Sequence, residues 1–99
     1  MTNDDRDRTT DALTFRAGPD AVYNRVGDQG VLIDMKTNRI YELNRTGARF
    51  WELLSAGHDR DEIQQLMMEE FDVTEADLAA EIEAMLASLK DKGLLTETK

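Results

Sequence analysis

The chain has 99 residues, with 21 acidic side chains against 12 basic ones for a net charge of −9, and no cysteine. That length holds one domain with a modest core, and the missing thiols exclude disulfides, thiol catalysis and thiolate metal sites together. No apolar run approaches the roughly 18–20 residues of a membrane-spanning helix, and the acidic balance disfavours nonspecific nucleic-acid contact, so the composition reads as that of a cytoplasmic protein with no membrane partner.

In chain order, MTNDDRDRTTD has no apolar side chain after Met1. Residues 1–12 are therefore expected to be a disordered arm, without the apolar segment of a signal peptide. Leu13-Thr14-Phe15 is either a short strand or an anchor for that arm, and Gly18-Pro19-Asp20 breaks the chain. Residues 21–26 alternate well enough for a strand, and Gly27-Asp28-Gln29-Gly30 turns the chain. Residues 30–35 are mostly apolar, as in a central strand. Lys36-Thr37-Asn38 supplies the next turn, with Asn38 the residue best able to take a positive φ. Residues 39–43 alternate again, which sets Ile40, with Leu43 as a second candidate, on one face and Arg39 and Tyr41 on the other.

Three helices follow. Asn44 and Thr46 are both good N-caps for a helix over 46–56, Gly47 and Ala48 let its start lie close to the sheet, and Gly57 stops it. Asp59 with Glu62 forms a capping-box pair for a second helix that turns Ile63, Leu66 and Met67 inward. Thr74 and Asp77 cap a third over 75–92, whose stripe of Leu78, Ala79, Ile82, Met85, Leu86 and Leu89 ends at Gly93. Leu94 and Leu95 return to the core, and 96–99 trail off as a tail. The domain is thus 13–95, an α+β, winged-helix-like fold with a three-stranded antiparallel sheet followed by three helices.

Catalysis has little to work with. His58 is the single histidine and lies between two helices, where exposure or capping is its ordinary role. Ser55 and Ser88 have no histidine pair to activate them, Asp59-x-Asp61-Glu62 lacks the glycine and distal glutamate of a calcium loop, and no glycine-rich phosphate loop is present. The expectation is a non-enzyme without cofactor or metal. A winged helix raises DNA binding as the alternative function. The helices, however, offer Asp61, Glu62, Glu69, Glu70, Asp77, Glu81 and Glu83, and two glutamines do not offset that many carboxylates facing a polyanion. Between Asp59 and Glu83 stand ten acids and one base, whereas between Arg25 and Arg49 five bases face three acids. Peptide binding uses what is present. The outer strand 39–43 leaves a row of backbone groups open to an added strand, and the third helix offers a second wall.

The run Tyr41-Glu42-Leu43-Asn44-x-Thr46-Gly47-Ala48-x-Phe50-Trp51, with Leu53-Leu54, Gly57 and Lys92-Gly93-Leu94-Leu95, resembles the signature of the PqqD-like family. These are small leader-peptide-binding domains of ribosomal peptide biosynthesis, also called RiPP recognition elements. The resemblance covers roughly 21–95. It implies non-catalytic binding of a precursor's leader between the third strand and the last helix, for delivery to a modifying enzyme or leader peptidase. By position, Arg39, Ile40, Tyr41, Glu42 and Leu43 would form the strand wall. Leu78, Glu81, Ile82 and Met85 would form the helix wall, with Leu89 deeper. The stand-alone length and the Leu-Asn-x-Thr-Gly-Ala run look closer to members serving lasso-peptide pathways. Ile40, Ile82, Leu86 and Leu89 read first as core and second as groove, Trp51 as core, and Met85 as either.

Overall fold

The computed structural model describes residues 14–98. The expected disordered arm over 1–12 lies outside the described residues. Eight elements follow one another: β1 (Thr14–Ala17), β2 (Ala21–Val26), β3 (Gln29–Asp34), β4 (Arg39–Leu43), α1 (Arg45–Ser55), α2 (Arg60–Glu70), α3 (Glu75–Asp91) and β5 (Leu95–Thr98). β2, β3 and β4 form the expected antiparallel meander in that spatial order, and three helices follow.

Local chemistry sets the turns and helix ends. Gly27 takes φ 66° in the two-residue turn between the paired Val26 and Gln29. Asn38 takes φ 59° in the second turn, where the Asp34 carboxylate accepts from the Lys36 N–H at 3.0 Å. Asn44 caps α1 by accepting from the Gly47 N–H at 2.8 Å. Asp59 and Glu62 make the full reciprocal capping box of α2, and the Thr74 hydroxyl accepts from the Asp77 N–H at the start of α3. Gly57 and Gly93, at φ 101° and 75°, end α1 and α3 as their positions predict.

One core fills the space between the sheet and the helices. Leu32 from β3 meets Phe50, Trp51, Leu53 and Leu54 of α1, Ile63 and Met67 of α2, and Leu78, Ile82, Leu86 and Leu89 of α3. Gly30 makes the close sheet–helix approach possible. A Cβ there would sit 2.6 Å from Tyr23 Cε1 and 3.1 Å from the Ala48 Cβ, so a side chain would force the two layers apart.

The chain end differs from its expected trailing tail. Leu94 and Leu95 are buried as anticipated, but Leu95–Thr98 pairs antiparallel with Thr14–Ala17 as a second, two-stranded sheet. The Gly18 N–H donates to the Leu94 carbonyl at 2.8 Å and continues that pairing. The partners lie at opposite ends of the sequence, so no local pattern in Thr96–Thr98 announces the strand.

Candidate functional site

Strand β4 is paired on one side only. Its register with β3 runs Gly30↔Leu43, Leu32↔Tyr41 and Asp34↔Arg39, and no described strand pairs with its other edge. Because Leu32 is fully buried, its neighbour Tyr41 must face the helices, together with Leu43. Both are half-buried and packed against the core. Ile40 and Glu42 therefore point to the opposite, open face, and Ile40 is 67% exposed. This corrects the expectation that Ile40 shares a face with Leu43 and lies in the core. Residues three apart in a strand have opposite parity, and the buried Leu32 decides which parity is inward. Ile40 instead lines up across the sheet with the half-buried Ile33 and the exposed Val22.

The expected second wall is α3. Leu78, Ile82 and Leu89 are buried in the core at 2%, 0% and 6% exposure, as is Leu86. Met85 is half-buried against the core, and Glu81 is exposed. The surface that α3 leaves open is thus carried by Met85 and Glu81. Strand and helix meet at Lys92, whose ammonium lies 5.6 Å from the Tyr41 ring centroid and donates to Ser88 Oγ at 2.7 Å. Sequence reasoning missed Lys92, although Leu78, Ile82, Met85, Leu89 and Lys92 share one helical spacing. The edge of β4, the half-buried Tyr41 and Leu43, and the Met85–Lys92 end of α3 outline a site for an extended chain. Among the described residues no group of His, Cys, Asp and Glu is arranged to hold a metal ion.

A second polar constellation, also missed, lies at the opposite edge of the meander, on its helix-facing side. The Tyr23 hydroxyl donates to Glu52 Oε2 at 2.6 Å, and the Arg25 guanidinium grips the same carboxylate at 2.6 and 2.7 Å. Arg49 donates to Glu52 at 3.3 Å and holds Glu70 with two bonds of 2.8 and 2.9 Å. Burial, followed by the Glu52 carboxylate, pushes the Tyr23 phenol up to about 12. The Tyr23 hydroxyl leads the causes that lower Glu52, and Arg49 those that lower Glu70. Only the i, i+3 spacing of Arg49 and Glu52 was visible in the sequence; Tyr23, Arg25 and Glu70 join through tertiary packing.

A family model for coenzyme PQQ synthesis protein D (PqqD) matches residues 29–95, that is, β3, β4 and the three helices. The chain belongs to the PqqD family. Two solved structures resemble this PqqD-family chain. One is TbiB1 in complex with the TbiA(beta) leader peptide, 26% identical with a TM-score of 0.76, the match covering 81% of this chain and 93% of that one. The other is lasso peptide synthetase B1 complexed with the leader peptide, 28% identical with a TM-score of 0.75, covering 84% and 98%. No curated protein matches this chain.

Proposed function

We propose that this PqqD-family protein binds the leader of a ribosomally made precursor peptide by adding it as a strand to β4, against α3. It then presents the peptide to a modifying enzyme or a leader peptidase. The observation that carries this reading is the one-sided pairing of β4 beside α3. An unpaired edge offers backbone donors and acceptors to any extended chain, and a helix wall adds side-chain selection. Strand β2 is the other edge of the meander, but its inward Tyr23 and Arg25 are already tied to Glu52. Both structural relatives are complexes with leader peptides, which supports the same ligand class here. No catalytic step is assigned to the protein. Holding the leader raises the effective concentration of the rest of the precursor at the enzyme.

DNA binding fits less well. The depression of about 610 Å³ beside α2 is lined by Asp61, Gln64, Gln65, Met68, Glu69 and Glu75, a surface that repels phosphate. An NMR titration separates the two readings, using a candidate leader, the TbiA(beta) leader as a related probe and duplex DNA as control. The expected result is peptide-induced shifts concentrated at Arg39–Leu43 and around Met85, with none from DNA. Shifts from DNA alone would overturn the reading.

A further inference from the structure

We propose that the depression between the start of α1 and the end of α2 is a carboxylate-binding site for an acidic segment of a protein partner. It measures about 300 Å³ and is lined by Arg25, Arg45, Arg49, Glu70 and Phe71. Arg49 is fixed by its two bonds to Glu70 and Arg25 by Glu52. Arg45 differs: its guanidinium lies 4.7 Å from the Phe71 ring centroid, and among the described residues no carboxylate pairs with it. The cation–π contact with the ring holds the guanidinium in place, and a guanidinium held without a carboxylate partner favours a two-pronged bond to an incoming one.

Charge selects the ligand. Arg25 and Arg49 are matched by the carboxylates of Glu52 and Glu70, so the positive charge of Arg45 is left over. A single carboxylate neutralises it. A phosphate dianion would overshoot and stand against Glu70. The net charge of −9 does not forbid an acidic partner, because screening over about 8 Å at physiological salt makes the nearest groups decide. None of the lining residues belongs to β4 or α3, and Arg25 lies on the opposite edge strand of the meander. The site can therefore be filled while the β4 edge holds a peptide, and it does not depend on that reading.

The test follows arginine side-chain N–H signals of the full chain during titration with a short capped polyglutamate peptide, and in parallel with inorganic phosphate at matched ionic strength. Arg45→Gln is compared with Lys36→Gln, which removes the same charge from the exposed hairpin turn. The expected result is polyglutamate-induced shifts at Arg45 and Arg49, weakened about fivefold by Arg45→Gln and unchanged by Lys36→Gln. Equal losses in the two variants, or no shifts, would overturn the site. Stronger shifts from phosphate than from polyglutamate would overturn the carboxylate assignment.

Discussion

Tyr23 holds its phenolic proton first because burial disfavours the phenolate, and then because ionising it would place a second negative charge against Glu52. An unfolded tyrosine titrates near 10.0, whereas this one is pushed up to about 12. The contribution to stability is therefore complete below pH 10.0, falls above it, and is gone once pH passes about 12. Glu52 has the opposite sign. Its lowered value favours the fold at pH above 4.5, and that advantage disappears as acid protonates the folded carboxylate. Glu52→Gln removes the centre of the network, since Tyr23, Arg25 and Arg49 all bond to that carboxylate. We expect Tyr23 to titrate nearer 10.0 in this variant and the fold to lose about 1–2 kcal/mol at neutral pH, a charged hydrogen bond discounted for partial solvent access. Tyrosinate absorbance in a Tyr41→Phe background reads the first, and urea denaturation the second. An unchanged Tyr23 titration would contradict the assignment.

At the scale of elements, the caps and turns were legible because their signals are local. Asp59 with Glu62, Thr74 with Asp77, Asn38 and Gly93 each act within a few residues of their own position. The facing of β4 was not legible in the same way. Its run Arg39-Ile40-Tyr41-Glu42-Leu43 has apolar character at both parities, and only the pairing of Tyr41 with the buried Leu32 settles which set points inward. The helix wall divides for a related reason. Leu78, Ile82 and Leu89 share a stripe with Met85, but the stripe is wider than the core beneath it, so Met85 is left at its edge. This decides how α3 is best probed. Ile82→Ala would cost roughly 2–5 kcal/mol through a core cavity, enough to confuse lost binding with lost folding. Met85→Ala removes surface that is already half open. We expect it to keep the fold and weaken leader binding several-fold by calorimetry; full affinity in a folded variant would remove α3 from the site.

Across the whole molecule, charge and topology divide the work between two sides. Ten of the 21 acids lie between Asp59 and Glu83 against a single base, five bases face three acids between Arg25 and Arg49, and none of the residues lining the arginine-rich depression belongs to β4. That division was partly readable from the charge counts, whereas the pairing of β1 with β5 joins the two ends of the chain and was not. No described helix is long and apolar enough to cross a membrane. The central claim is that β4 receives the leader as a new strand. Amide hydrogen exchange over Arg39–Leu43, with and without a bound leader peptide, tests it most directly. Backbone groups of alternate residues point to opposite sides of a strand, and one set is already bonded to β3. The account predicts that binding slows exchange at the other set, every second residue of β4. Tight peptide binding that leaves all five β4 amides unchanged would contradict it.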